Sequence, residues 1–457
     1  MVLFCQMRTA VIFYAWLQMP VFSENDGRWR RLGLYGVFAA YFVLGLLYAW
    51  AVPPWRGADE LAHFGYVRHI ALGRGLPVLG GPESLDPRGP SYEAHQPPLY
   101  YLVAAPVYLA FRGARPEAVN TAIRVLSLIL GALSGALVLL LLKAVFPNRP
   151  NVWILGTAFY LLIPSQVSLF ATVNNDVLTQ LLFTLTLLLC VRCINNNSKP
   201  TAAGVLGLVT GLAVLTKASG LLLVVPGLAA IAIGFQEGDG SPPDANQPSR
   251  KPADAVLGLL LYLLAFAAVA GWWLWRNKVL YGDPLGMSAI TSYFARSPTP
   301  DYFLRRVGLS YGQYWLLVIS WTFRSSFGAF PGLGNRTLFL PNSVYWVYGL
   351  AWLAVGAGAL KMVISGHTER RQKTPVLLAL LTLVLLLAAH VRLNSVFFWA
   401  HARYVMASAS SIAVIWAGGL SQLLDEKGAK WLALVVALSL VGANLLAVFE
   451  VIAPHFK

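Results

Sequence analysis

Charge and cysteine are what this sequence has least of. Only 12% of its 457 residues are charged, against about 25% in an ordinary soluble domain. So little charge excludes a soluble enzyme, and a hydrophobic fraction of 57% excludes a disordered chain. The three cysteines, Cys5, Cys190 and Cys193, cannot form a disulfide framework. Cys190 and Cys193 have a C-x-x-C spacing but close an apolar run with no second pair, which argues against a metal or redox site. There is no phosphate-binding glycine loop, serine-hydrolase elbow, zinc-finger spacing or H-E-x-x-H motif. The glycines of GALSG (131–135) and GVLGLVTG (204–211) lie inside apolar runs, where small residues let helices approach closely.

What is present is long apolar runs. The mean hydropathy is +0.63. Charge-poor stretches near 32–52, 123–146, 151–170, 176–194, 202–216, 218–235, 255–275, 343–362, 375–391, 404–422 and 430–450 approach the ~20 residues that cross a bilayer. They are too long and too uniformly apolar for barrel strands. The expectation is an all-α polytopic membrane bundle of about eleven spans, range 10–13. Residues 97–111 and 311–323 read as interfacial helices within longer loops, and 9–22 as a short apolar stretch of undecided role.

Lys and Arg outnumber Asp and Glu 34 to 19, for a net charge of +15. With the short basic clusters at 28–31, 143–149, 199, 250–251, 361–373 and 427–430 placed in the cytoplasm, the spans alternate consistently. Residues 1–31 are then a cytoplasmic N-terminal segment and 32–450 a single membrane domain. The polar stretch 236–254 is a cytoplasmic linker, and no separate soluble C-terminal domain is expected. Two long segments, 53–122 and 276–342, fall outside and carry a surplus of arginine, which suits a bound anion. Nucleic acid is excluded as a partner, because the basic charge is divided between both sides of a bilayer.

Six polar groupings gather on that external side. The run DELAHFGYVRHI puts Asp59, His63, Tyr66 and His69 on one side of a helix. Asp59 there is either a helix N-cap or a functional carboxylate at the membrane boundary, and Glu60 with His63 is a possible divalent-cation pair. In EAHQPPLYY, Pro97-Pro98 stops one element and starts another, presenting His95, Gln96 and Tyr100 near the surface. Asn175 and Asp176 open an apolar helix, as caps or as ligands. Lys217 either snorkels or holds a phosphate. WWLWRNK places Arg276 at a tryptophan belt, and HARYVMA places Arg403 and Tyr404 at a helix start.

At ADELAHFGYVRHIALGRGLP, EAHQPPLYYLVAAPVY, NNDVL, GLAVLTKASGLLLVVP, WWLWRNKVLYGDPLG, SSFGAFPG and HARYVMA, in that order over about 58–407, the chain resembles the GT-C glycosyltransferases. These use polyprenyl-phosphate-linked sugars and include protein O-mannosyltransferases and the lipid A aminoarabinose transferase; the later stretches look most like a poorly characterised bacterial branch. The resemblance implies a GT-C-like bundle in the plasma membrane with an active site on the extracytoplasmic face. It implies Asp59 as general base toward an acceptor hydroxyl. Glu60 would assist it, position the acceptor or touch a metal. Lys217, Arg276 and Arg403 would bind the lipid-phosphate leaving group. His63, His95, Gln96, Tyr100, Asn175, Asp176 and Tyr404 complete the expected substrate-binding set. The implied partners are a polyprenyl-phosphate sugar donor, an acceptor of unspecified kind (lipid, glycan or protein) and the bilayer, with a divalent metal ion as a possible cofactor. A flippase or exporter of lipid-linked saccharides, or a noncatalytic scaffold, is the alternative class.

Overall fold

The computed structural model describes residues 27–86, 88–195, 199–235, 252–333, 336–364 and 370–457. The expected stretch 9–22, most of the N-terminal segment and most of the linker 236–254 lie outside the described residues.

The chain is an all-α membrane bundle. Its helices are α1 (Arg28–Ala51), α2 (Glu60–Ala71), α3 (Leu99–Phe111), α4 (Pro116–Val145), α5 (Pro150–Leu162), α6 (Pro164–Phe170), α7 (Asp176–Asn195), α8 (Pro200–Val214) and α9 (Val224–Phe235). They continue as α10 (Pro252–Tyr281), α11 (Met287–Tyr293), α12 (Tyr311–Phe327), α13 (Asn342–Ile364), α14 (Arg370–Asn394), α15 (Ala409–Ser421), α16 (Glu426–Leu446) and α17 (Ala453–Phe456). A two-stranded antiparallel hairpin, β1 (Ala329–Pro331) with β2 (Thr337–Phe339), pairs Phe330 with Leu338.

Among the described residues, eight helices are long and apolar enough to cross a membrane, and the bent pair α5–α6 can make a ninth. The other two of the eleven expected spans are helical but short, Pro200–Val214 and Met406–Ser421. A 15-residue helix such as α8 rises only ~22 Å, less than the ~30 Å hydrocarbon layer. Two elements begin or end away from their expected limits. Helix α4 starts at Pro116, which tolerates a first helical turn, and α10 runs on to Tyr281. Both therefore extend into the segments expected to be external loops.

The expected single span 151–170 is broken. Pro164 has no N–H to donate and restricts Ile163, which is extended at φ −60°, ψ 127°, so α5 and α6 diverge by 60°. The carbonyl of Leu162 at the break accepts a hydrogen bond from Asn444 Nδ2 at 2.8 Å.

The centre of the bundle is α7, with 89% of its most apolar stretch buried, whereas α10 buries only 17% of its own. Helix α10 instead packs closely on α8: a Cβ at Gly207 would lie 2.2 Å from the carbonyl oxygen of Tyr262, so only glycine fits. Cys190 and Cys193 are fully buried in α7.

Candidate active site

The loop after α1 is anchored before it is functional. Arg124, in α4 and 1% exposed, directs all five of its N–H donors to partners. Nε reaches Glu60 Oε1 at 2.7 Å and Nη2 reaches Glu60 Oε2 at 2.6 Å. Nη1 donates to the carbonyls of Ala49 (2.8 Å) and Val52 (2.7 Å), and Nη2 also to Pro53 (3.0 Å). The last carbonyls of a helix lack intrahelical donors and carry partial negative charge, so a guanidinium there satisfies α1 and grips the loop together. Glu60, 0% exposed, also accepts from the backbone N–H groups of Gly57 and Val173, each at 3.1 Å. A Cβ on Gly57 would stand 2.6 Å from Thr172 Cγ2, so this approach requires glycine.

This anchoring forces Asp59 out of the helix. It takes the left-handed conformation, φ 57°, ψ 9°, and its side chain makes no cap hydrogen bond. The N-cap alternative is thereby overturned, and Asp59 does not share a helical face with His63. Trp55 and Ser91, in the same loop, also have positive φ, a clustering of backbone strain that accompanies functional sites. The Asp59 carboxylate accepts from Tyr92 Oη at 2.8 Å through Oδ1 and pairs with Arg403 through Oδ2. Burial alone would raise its pKa. The Arg403 guanidinium, His63 and the Tyr92 hydrogen bond outweigh burial and hold it at about 2. Tyr92 moves the other way, far above its ordinary value, through burial and the neighbouring carboxylate. The Asp59 and Arg403 side chains are 23% and 17% exposed, and both face a cavity of about 740 Å³.

Around Arg403 the turn 401–404 arranges further groups. His401 Nδ1 accepts from the Arg403 backbone N–H at 3.2 Å. Burial, reinforced by Arg403, pushes its pKa down to about 3, so the ring is neutral and Nε2 carries the proton. Arg403 lies 5.2 Å from the centre of the Tyr404 ring. Lys217 approaches the same ring at 5.5 Å and pairs with Asp176 at 2.5 Å. Lys217 is thus not on the cavity wall but behind Tyr404. Asn175 Nδ2 donates to Gln96 Oε1 and to the carbonyl of Thr216, each at 3.1 Å, tying the starts of α3 and α7 together.

Of the residues singled out in the sequence, Asp59, Glu60, Arg403 and Tyr404 line the cavity. Glu60 does so with both carboxylate oxygens already engaged, so it is not free to assist a proton transfer. It does not join His63 in a metal set either: His63 hydrogen-bonds Tyr101 Oη at 2.9 Å and lies 3.9 Å from Glu93. No cluster of three or more His, Cys, Asp or Glu suited to a metal is found among the described residues. Tyr100 bonds Ser127 at 3.1 Å in the interior, and His95 bonds the carbonyl of Tyr92 at 2.6 Å. Arg276 is not brought to the cavity. It stacks on Trp273 at 4.8 Å and donates to the carbonyl of Pro77 at 2.7 Å, bracing the first long loop. The sequence reading missed Arg124 and Tyr92. An arginine inside an otherwise apolar helix was the available signal for Arg124; nothing local distinguishes Tyr92 from other loop tyrosines.

Comparison with known proteins agrees with this architecture. A family model described as dolichyl-phosphate-mannose-protein mannosyltransferase matches residues 95–275, less than half of the chain. No curated protein matches the sequence. ArnT from Cupriavidus metallidurans bound to undecaprenyl phosphate superposes with a TM-score of 0.53 at 14% identity, over 93% of this chain and 73% of that one. The Archaeoglobus fulgidus oligosaccharyltransferase tethered to an acceptor peptide gives 0.51 at 15% identity, over 91% of this chain. This chain covers 55% of that enzyme, little more than half its length. The fold is the one these two solved structures share.

Proposed function

We propose that this chain is a membrane glycosyltransferase that moves a sugar from a polyprenyl-phosphate donor to an acceptor hydroxyl on the extracytoplasmic face. The observation that carries the reading is the Asp59–Arg403 pair, half-open on the wall of a large cavity and presented by a strained, anchored loop. The family match and the undecaprenyl phosphate bound by ArnT support a lipid-phosphate donor.

In this reading the donor phosphate takes the Arg403 guanidinium, whose planar fork suits a phosphate. The acceptor oxygen bonds to the anomeric carbon, the carbon–oxygen bond to phosphate breaks, and its electron pair leaves on the phosphate. Arg403 stabilises that growing charge, and Asp59 takes the acceptor proton. A carboxylate with a pKa near 2 is a weak base near neutral pH. Sharing Arg403 with an arriving phosphate weakens the Asp59–Arg403 pair and raises Asp59 toward a useful basicity. Donor binding and base activation are therefore one event. Lys217 and Asp176 hold the Tyr404 ring in place behind Arg403.

The test is release of polyprenyl phosphate from hexose and pentose donors by protein in nanodiscs, with and without candidate acceptors. Acceptor-dependent release by wild type that disappears in Asp59→Asn supports the proposal. Donor movement between leaflets with no release by wild type overturns it in favour of transport.

A further inference from the structure

The charges lining the cavity do not balance. Five charged residues face it: Arg56, Asp59, Glu60, Arg336 and Arg403. Asp59 is paired with Arg403, and Glu60 with Arg124 behind the wall. His401 is neutral. Arg56 and Arg336 remain, and among the described residues neither has an ion-pair or side-chain hydrogen-bond partner.

They come from distant parts of the chain. Arg56 lies three residues before Asp59 on the anchored loop. Arg336 lies at the end of the β1–β2 hairpin, where its carbonyl accepts from Gly332 N–H at 2.8 Å. The hairpin is held in turn by Leu333 N–H donating to His455 Nε2 at 2.8 Å. Both arginines are exposed, so their heads are free to converge on a guest. Flat aromatic faces share the cavity wall with them and with Asp59: Trp55, Trp321, Phe398 and Trp399 also line it. Aromatic faces suit the apolar side of a sugar ring, and arginine forks suit a phosphate or carboxylate.

Resting on the transferase reading, we propose that Arg56 and Arg336 form an oxyanion subsite for the acceptor, so that the acceptor is a saccharide bearing a phosphate or carboxylate. In that reading the donor phosphate is served by Arg403, the residue already paired with Asp59. A second cationic site flanking the base places an anionic acceptor with a hydroxyl toward Asp59.

Binding is the cleanest readout, because it does not require turnover. Wild type and Arg56→Gln/Arg336→Gln, in nanodiscs of neutral lipid, are titrated with glucose 6-phosphate, glucuronate and glucose by saturation-transfer NMR. Arg112→Gln/Arg115→Gln, the same charge loss away from the cavity, serves as control. The expected result is that wild type and control prefer one or both anionic sugars over glucose, and that the double variant loses that preference, its affinity for them falling ~10-fold or more. The phosphate and carboxylate arms tell the two anion classes apart. Equal affinity for all three sugars in wild type, or no binding by any, overturns the proposal. So does a double variant whose main loss is affinity for polyprenyl phosphate, which would assign the two arginines to the donor. If the double variant alone loses anionic-sugar preference while wild type releases no polyprenyl phosphate, the subsite stands and the transferase reading fails.

Discussion

Two arginine–carboxylate pairs lie one residue apart in sequence on their acidic side and do opposite things. Glu60–Arg124 is sealed, with side chains 0% and 1% exposed and every guanidinium donor used. Asp59–Arg403 stands at the cavity wall, with both members partly exposed. The chemistry of the pairs is the same, and access separates them. A sealed pair cannot exchange partners without leaving a buried charge, so it sets geometry. A pair open to the cavity can give its guanidinium to a guest, so it can take part in a reaction.

The strongest test of that contrast is Asp59→Asn. Asparagine tolerates the left-handed backbone and fills the same space. Transfer is expected to fall 10²–10⁴-fold, the usual worth of a general base, while the thermal midpoint moves by only a few degrees. A variant that instead unfolded would make Asp59 structural and erase the distinction.

On the other side, Arg124→Met leaves Glu60 buried and unpaired, and a stability loss of about 3–5 kcal/mol is expected. Thermal unfolding in detergent reads it. Glu60→Met combined with Arg124→Met should regain most of that stability, because no charge is then stranded, yet remain poor in transfer because nothing positions Asp59. Full activity in the double variant would show that the clamp is dispensable.

A smaller effect is expected from Arg403→Lys, which keeps the charge but loses the planar fork. Affinity for polyprenyl phosphate should drop about 10-fold. An unchanged affinity would move the donor phosphate elsewhere.

The smallest expected effect is one of pH. Asp59 has a depressed pKa of about 2, against ~3.9 unfolded. Its pairing therefore adds stability that is fully present above about pH 4 and lost as pH falls through 2. The difference in unfolding midpoint between wild type and Asp59→Asn should thus be flat from pH 8 to pH 5. A difference that titrates within that range would mean the pair is weaker than its geometry implies.

The helices were legible in the sequence because hydropathy is a local property. All eleven apolar runs are helical, though α8 and the 406–421 helix are too short to qualify as spans by length. The bend at Pro164 lay inside a run that hydropathy alone reads as continuous. Asp59 and Arg403, which line the cavity, were legible because a charge at the edge of an apolar run is conspicuous; Lys217 and Asp176 were conspicuous for the same reason but pair with each other off the cavity wall. The division of labour between Asp59 and Glu60 was not. It is decided by Arg124, 64 residues further along the chain, and by a backbone conformation that no side-chain pattern announces. Arg276 misled for a related reason: its partners are backbone carbonyls, which every sequence contains.

The break between α5 and α6 has a practical corollary for anyone handling this protein. Its unpaired carbonyl is capped by Asn444, and the hairpin bearing Arg336 is pinned by His455. Both retaining groups come from the last thirty residues. Shortening the chain ahead of Asn444 would slacken the bend and at the same time release one wall of the cavity.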